Sequence, residues 1–257
     1  MLLALACGHA APEKPKTPQA PPLDLVSGLT ASGNEEPRGL TWKPGIAEKP
    51  AREVFKNVPL LGGLPAGRLM AGMQSMDTAV GARCETCHVE KDFKADDLPP
   101  KLAARKMLKM TWQLNHEFMK DAVGVTCYTC HRGQQKPPPA AFAGGTPAQP
   151  QVPLPALSEE QAKLPAEQVY KNIQRFKGVP AGKLARVMGF FTVGLGVPCS
   201  HCHVEGAWES EEKPAKQRAR EMLALVGLTA KEYYAGNTPV NCGMCHRGQP
   251  RPARTAP

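Results

Sequence analysis

Residues 127–131 read Cys-Tyr-Thr-Cys-His, and this pattern of two cysteines three positions apart with a histidine directly behind them occurs three more times. The other copies are Cys84-Glu-Thr-Cys87-His88, Cys199-Ser-His-Cys202-His203 and Cys242-Gly-Met-Cys245-His246. Eight of the nine cysteines are used in this way, and only Cys7 stands apart. Four copies of the same Cys-x-x-Cys-His motif indicate that these cysteines all have the same function.

The pattern favours covalent attachment of haem. Two thiols on one helical turn can reach both vinyl groups of a haem, and the imidazole behind them is then held beneath the iron as proximal ligand. Zinc sites and C-x-x-C redox pairs use the same thiol spacing but do not need the histidine, which all four copies have. We therefore predict four covalently attached haem c groups, with proximal ligands His88, His131, His203 and His246. Attachment of this type places the protein in a periplasm or on a cell surface.

The chain is a tandem repeat. Residues 54–134 match residues 169–249 at one offset of 115, without gaps, and all four motifs keep their spacing. The prediction is a mostly α multihaem cytochrome c with much irregular chain, built from two tandem dihaem modules related by pseudo-twofold symmetry. Its parts are a signal-like stub (1–7), a Pro-rich tether (8–52), module 1 (53–135), a Pro-rich linker (136–167), module 2 (168–250) and a tail (251–257).

Each module is predicted to alternate helix and haem motif. Apolar spacing indicates a helix from about Ala66 to Val80 that stops at Gly81, with a copy in module 2. A second helix is expected from about Pro99 to Met119, and its copy from Pro214 to Val226, where Gly227 should end it. There is little strand signal. One face of the second helix carries Leu102, Met107, Met110 and Leu114, with lysine and arginine elsewhere.

The sixth iron ligands are predicted among the ten methionines. A methionine on a helix is more often core than ligand, so the repeat serves as the filter. Only two pairs are methionine in both modules, Met73 with Met188 and Met107 with Met222; they precede a haem cysteine by eleven and twenty residues. We therefore expect four His/Met haems. Because both axial positions of each iron would then be filled, electron transfer is favoured over substrate turnover.

Three histidines stand outside the proximal positions. His116 lies on or just beyond the second helix of module 1, opposite Lys231, and could reach a haem of the other module. It is therefore the alternative to Met222. His9 lies in the tether, and His201, inside a haem motif, is expected to face solvent.

Composition and charge fit this interpretation. Aromatic residues supply only 5% of the chain, so haems are expected to fill the cores. The net charge of +9 is spread without a basic block, which argues against a nucleic-acid partner. The propionates of four haems would bring about −8 and offset it.

The N-terminus reads Met-Leu-Leu-Ala-Leu-Ala-Cys-Gly and resembles the end of a lipoprotein signal without its charged region. Cys7 is the predicted lipidation site, and the tail of an ordinary signal peptide is the alternative. No other stretch approaches a transmembrane helix in length, so membrane contact is expected through the lipid anchor alone.

Three segments resemble the tetrahaem cytochrome c subunit of photosynthetic reaction centres. They are Phe55-Lys56-Asn57-Val58, Ala104-Arg105-Lys106-Met107 and the run from Gly124 to Gly133. The resemblance implies a row of haems in a lipid-anchored periplasmic subunit that re-reduces an oxidised chlorophyll pair in a membrane-bound core, with a soluble electron carrier as donor.

The resemblance also bears on the ligands. Met73, Met107 and Met188 match the family's methionine positions, whereas the family's fourth haem takes a histidine from the first unit, so Met222 and His116 compete for that site. The connection between the modules is shorter than in those subunits, and the N-terminal segment lacks a clear match. A respiratory or extracellular electron carrier with the same domain therefore remains an alternative, as do a multihaem reductase or peroxidase and a zinc-stabilised interaction module.

Overall fold

The computed structural model describes residues 42–119, 124–139 and 156–255, which include all four motifs, the whole second repeat and the first repeat except residues 120–123. Cys7 and His9 lie outside these ranges. Within them the fold is helical: extended segments meet only as isolated bridges, such as Pro50 with Pro65, and form no sheet. None of the helices in this part of the chain is long and apolar enough to cross a bilayer.

The helices follow the same order in both repeats. The first repeat contains α1 (Ala51–Val54), α2 (Ala66–Val80), α3 (Cys84–Cys87), α4 (Pro99–Phe118) and α5 (Cys127–His131). The second repeat contains α6 (Glu159–Lys163), α7 (Ala166–Val169), α8 (Ala181–Leu195), a 3-10 turn (Cys199–His201), α9 (Pro214–Tyr233) and α10 (Cys242–His246). We call the two repeats unit 1 and unit 2.

Glycine ends α2, as the sequence predicts, and also joins it to the second haem motif. Gly81 has a φ of 58°, in the left-handed region that glycine adopts without strain. A Cβ at Gly81 would lie 2.0 Å from the carbonyl oxygen of Gly133, which follows α5. The Gly133 amide donates to Ala79 of α2 at 2.8 Å. The end of α2 is therefore held against the chain behind α5.

Unit 2 repeats this contact. Gly196 ends α8 with a φ of 64°, and a Cβ there would lie 2.0 Å from the Gly248 carbonyl oxygen. The Gly248 amide donates to Gly194 at 2.9 Å. In both units a first helix and a second haem motif thus pack as one piece.

The prediction that Gly227 ends the second helix of unit 2 is wrong. The helix continues to Tyr233 and has the same length, 20 residues, as α4. Thr229 beyond the glycine is fully buried, and the Tyr233 hydroxyl donates to Gln113 of α4. A glycine inside a helix costs about 1 kcal/mol, which this packing offsets.

In the first turn of α4, the buried face of the helix also differs from the prediction. Leu102, placed on the apolar face by periodicity, is 50% exposed, whereas the neighbouring Lys101 is 7% exposed. The Lys101 ammonium finds backbone carbonyls in the loop before α4 (Phe93 and Ala95, 2.8 and 2.6 Å), and these satisfy a buried cation.

The long helices α4 and α9 form the interface between the units. Met110, Leu114 and Leu225 are buried there. Polar bonds flank them: the Lys106 ammonium donates to the Tyr233 carbonyl at 2.6 Å, and Gln113 donates to Glu232 at 2.9 Å. Partly buried side chains packed around this cluster are Met107, Phe118, Met119, Met222, Val226, Leu228, Tyr233 and Tyr234.

The second haem motifs also meet across the interface. Helix α5 contacts α10, and the Sγ atoms of Cys130 and Cys245, equivalent in the two repeats, lie 3.5 Å apart. Arg132 donates to the Cys245 carbonyl at 2.9 Å. Equivalent elements therefore contact each other twice, α4 with α9 and α5 with α10.

The end of the chain returns to unit 1. The Arg254 guanidinium donates to the Gly124 carbonyl at 3.1 Å, and the Thr126 hydroxyl donates to the Arg254 carbonyl at 2.5 Å. In the opposite direction, Arg247 of unit 2 donates to the Pro138 carbonyl at 3.2 Å. Each unit is thus completed by contacts from the other half of the chain.

Candidate haem sites

The histidine of every motif is oriented by a backbone carbonyl. Nδ1 lies 3.0 Å from the Phe93 oxygen for His88, 3.0 Å from Gln134 for His131, 3.1 Å from Trp208 for His203 and 3.0 Å from Gln249 for His246. A carbonyl only accepts, so the proton stands on Nδ1 and Nε2 is left with its lone pair. This is the tautomer that binds iron through Nε2.

Local sequence builds the second motif of each unit. The Thr126 hydroxyl accepts from the Thr129 amide at the start of α5, and the Asn241 side chain accepts from Met244 at the start of α10. Such caps begin a helix at the first cysteine and so place both cysteines on one turn. Arg132 then takes a left-handed φ of 54°, which ends α5 directly behind the histidine.

The motif cysteines differ in exposure: Cys84 is exposed, and the other seven are half-buried. Burial raises the pKa of Cys87, Cys127, Cys202 and Cys242. Cys84 also has a raised pKa, from burial and from the neighbouring Asp77 carboxylate.

Cys130 and Cys245 form a coupled pair. The hydrogen bond to Cys245, together with burial, raises the pKa of Cys130. The same bond lowers the pKa of Cys245, and Arg132 and Arg247 act in the same direction.

The four predicted methionine ligands all lie on helices that precede a haem motif. Met73 is on α2, Met188 on α8, Met107 on α4 and Met222 on α9. All four side chains are partly buried. Met107 and Met222 pack against the cluster between the units, so the interface holds both in equivalent places.

The two other histidines that the structure describes, His116 and His201, are exposed. His116 lies within α4, and its ring stacks on Trp112 with centroids 5.3 Å apart. His201, in the 3-10 turn of a haem motif, is exposed as expected.

A polar cluster beside the first motif of each unit was not foreseen. In unit 1, Asp96 accepts from Asn57 at 2.9 Å and from Arg105 at 2.8 Å, and the Lys101 ammonium lies 3.2 Å from it. The Arg105 guanidinium, followed by Lys101 and Asn57, lowers the pKa of Asp96 to about 2.

Unit 2 repeats the cluster with Glu211 in place of Asp96. Arg220 donates to both its carboxylate oxygens at 2.6 and 2.7 Å, Asn172 donates to it, and Lys216 lies 3.7 Å away. Arg220 and Asn172 lower the pKa of Glu211 to about 2. Since all four positions are identical or conservatively replaced between the repeats, the 115-residue offset could have found them.

The residues present fit haem c. Each motif offers two thiols on one turn and an imidazole whose Nε2 is unprotonated, which is the donor set that covalent haem requires. A zinc site would need three or four converging ligands, and the described residues bring no three His, Cys, Asp or Glu side chains together in that way.

Fold and site together define a c-type cytochrome of two repeated units. The chain belongs to the photosynthetic reaction centre cytochrome c subunit family, whose model matches it twice, over residues 41–147 and 139–256. The family resemblance stated from the sequence is thereby confirmed. Family members are electron carriers that bind c-type haem.

Individual relatives agree with this assignment. The chain is 28% identical to the photosynthetic reaction center cytochrome c subunit of Rubrivivax gelatinosus, over 91% of this chain and 81% of that protein. It is also 28% identical to the subunit of Roseobacter denitrificans, over 81% and 71% of the two chains. The subunit of Thermochromatium tepidum is 35% identical over 40% of this chain and 26% of its own length.

Proposed function

We propose that the protein is a tetrahaem c-type cytochrome that transfers electrons in a periplasmic or membrane-anchored chain of the reaction-centre type. The observation that carries the proposal is the shared geometry of the four motifs, in each of which a backbone carbonyl fixes the histidine with Nε2 available. A bound haem c supplies a one-electron iron couple, and the residues around it set its potential.

The ligand set of the proposal follows the repeat. The eight paired cysteines hold the haems, the four motif histidines are the proximal ligands, and Met73, Met107, Met188 and Met222 are the sixth ligands. Met222 is preferred to His116 because both Met222 and its repeat equivalent Met107 pack against the apolar cluster at the interface, whereas His116 is exposed and stacked on Trp112.

The proposed electron path crosses the interface between the units. The second motifs contact each other through α5 and α10, and in each unit the helix before the first motif packs on the helix of the second. This arrangement supports the order first motif, second motif, second motif, first motif along the molecule. It also supports two dihaem modules, 53–135 and 168–250, related by pseudo-twofold symmetry and joined by the linker 136–167.

The proposed partners are a soluble electron donor and a membrane-bound acceptor. The relatives named above are subunits of photosynthetic reaction centres, and this supports a reaction centre core as the acceptor. We further propose that lipidation of Cys7, through the tether 8–52, holds the protein at the periplasmic or outer face of a membrane.

Haem content and redox spectroscopy test the electron-transfer proposal. The purified holoprotein should give a pyridine haemochrome of c type with about four irons per chain, and a redox titration followed by optical and magnetic spectra should show low-spin His/Met haems. Prompt carbon monoxide binding by the untreated ferrous protein would favour a reductase instead. A metal content of zinc in place of iron in the purified protein would refute the proposal.

A matched pair of substitutions tests the fourth haem. Met222→Leu keeps the volume of the side chain and removes the thioether, while His116→Gln removes the imidazole. If Met222 is the ligand, only Met222→Leu opens an iron to carbon monoxide. The reverse result would assign His116 as the sixth ligand of that haem.

Flash-induced re-reduction of purified reaction centre cores by the holoprotein would test the proposed acceptor.

A further inference from the structure

A buried lysine contacts the carbonyl that orients the histidine of the first motif in each unit. The Phe93 oxygen lies 3.0 Å from His88 Nδ1 and accepts from Lys101 Nζ at 2.8 Å. In unit 2 the Trp208 oxygen lies 3.1 Å from His203 Nδ1 and accepts from Lys216 Nζ at 2.9 Å. One carbonyl oxygen, with two lone pairs, thus serves both an imidazole and an ammonium.

Both lysines are fixed in place. Lys101 is 7% exposed and Lys216 is 9% exposed. Each ammonium also donates to a second carbonyl of the same loop, Ala95 at 2.6 Å or Ser210 at 2.8 Å. Buried ammonium groups with several partners hold one position and are screened little by solvent.

The polar cluster beside each first motif carries a net positive charge, and in unit 1 one further carboxylate, Asp77, lies 3.6 Å from Cys84 Sγ. In unit 1 the cluster contains the cations Lys101 and Arg105 and the carboxylate Asp96, which sum to +1. In unit 2 Lys216, Arg220 and Glu211 give the same sum. The other ion pairs on these loops, such as Lys94 with Asp92, are exposed and neutral overall.

This arrangement has a definite electronic consequence. Reduction lowers the positive charge at a haem iron by one, so a fixed cation nearby favours the reduced state. A carbonyl already bonded to an ammonium is also a weaker acceptor for the Nδ1 proton, which makes the imidazole a weaker donor to iron. Both effects raise the reduction potential.

We propose that Lys101 and Lys216 are positioning residues that raise the reduction potential of the haem on the first motif of their unit. The inference rests on the proposed function, because it takes His88 and His203 as proximal ligands. It adds that a side chain outside the motif acts on the iron through the loop carbonyl behind the histidine.

The second motifs provide an internal contrast. His131 and His246 are oriented by the carbonyls of Gln134 and Gln249, and in the described chain no lysine donates to either oxygen. Substitution of either lysine should therefore shift the reduction potential of one haem of four and leave the potentials of the haems on the second motifs unchanged.

The test is Lys101→Met in the holoprotein, followed by optical redox titration. Met keeps the aliphatic stem and removes the charge. One haem should become about three- to tenfold harder to reduce, which is roughly 30–60 mV at 59 mV per tenfold for one electron. Lys101→Arg should retain most of the potential, and Lys109→Met, at an exposed position of the same helix, should change none.

Two further variants keep the inference falsifiable if Lys101→Met fails to assemble. Asp96→Asn removes the half-exposed carboxylate and should move the same potential upward, opposite to the lysine variant. Lys216→Met should lower the potential of the other first haem.

The outcomes are distinct. If Lys101→Met holds four low-spin haems with unchanged potentials, even with a lower melting temperature, the lysine only stabilises the loop. That result would overturn this inference alone. Wild-type protein with fewer than four haems would overturn the proposed function.

Discussion

The contact between Gly81 and Gly133 makes substitution of Gly81 a stringent test of the fold. Gly81→Ala places a Cβ in a left-handed conformation, which costs about 1–2 kcal/mol. It also sets that Cβ 2.0 Å from the Gly133 carbonyl oxygen, where ordinary contact begins near 3.4 Å, and the obstacle is backbone. The end of α2 and the chain behind α5 would therefore have to move apart by more than 1 Å.

The two costs can be separated with a matched glycine. Gly178 also has a positive φ, 78°, but a Cβ there meets nothing within 4 Å. Gly178→Ala should show the conformational cost alone, and Gly81→Ala about 2–3 kcal/mol more, within the range known for overpacking. For a domain of this size that difference is roughly 4–12 °C in melting temperature.

The assay is thermal or guanidinium unfolding of the holoproteins, followed by far-ultraviolet circular dichroism, with haem content measured in parallel. Gly196→Ala should behave like Gly81→Ala, since its Cβ would also lie 2.0 Å from a carbonyl oxygen, that of Gly248. Equal losses of stability in Gly81→Ala and Gly178→Ala would refute the proposed close packing of α2 against the chain behind α5.

Three other predictions concern ligands, acid and a local bond. Met73→Ala or Met188→Ala should open one iron to carbon monoxide and make that haem at least about tenfold harder to reduce, or ~59 mV, in a redox titration; unchanged spectra would remove these residues from the ligand set. Asp96 and Glu211 have pKa values of about 2 in the folded protein against about 4 when unfolded, so their stabilisation is complete above pH 4 and is lost as pH falls toward 2. The double variant Asp96→Asn, Glu211→Gln should therefore lose less stability across that window in acid titrations of the denaturation midpoint, and an identical acid slope would contradict the assignment. Asn115 bonds both the amide and the carbonyl of the chain before the second motif, at 2.6 and 2.9 Å, and Asn115→Ala should cost about 1–3 kcal/mol in chemical denaturation, whereas no loss would show the bond to be dispensable.

Local signals predicted the helices well where tertiary packing agreed with them. The bounds of α2 and its stop at Gly81 follow from apolar spacing and a glycine, and the structure has both. Gly227 is the opposite case. A glycine stop signal is local, while the Tyr233 hydroxyl finds its hydrogen-bond partner Gln113 on α4, a helix more than 100 residues earlier.

The candidate site divides in the same way. Spacing is enough to predict the motif cysteines and histidines as haem-binding residues, because each motif consists of five consecutive residues. Lys101 could not be read from helical periodicity, since a lysine on an amphipathic helix is usually solvated and here is buried against carbonyls of a preceding loop. Comparison of the repeats, which filtered the methionines, would have flagged it through Lys216.

The contacts of the C-terminal tail with unit 1 tie the two halves of the chain together. Thr126 caps α5 of unit 1 and is itself bonded to Arg254, 128 residues later. After proteolysis within 140–155, the two fragments should remain associated. The long helices, the second motifs and the tail all make contacts between the two halves of the chain. Deleting residues 251–257, far from unit 1 in sequence, should in turn loosen the start of α5, so the geometry of the second motif of unit 1 depends on the last residues that the structure describes.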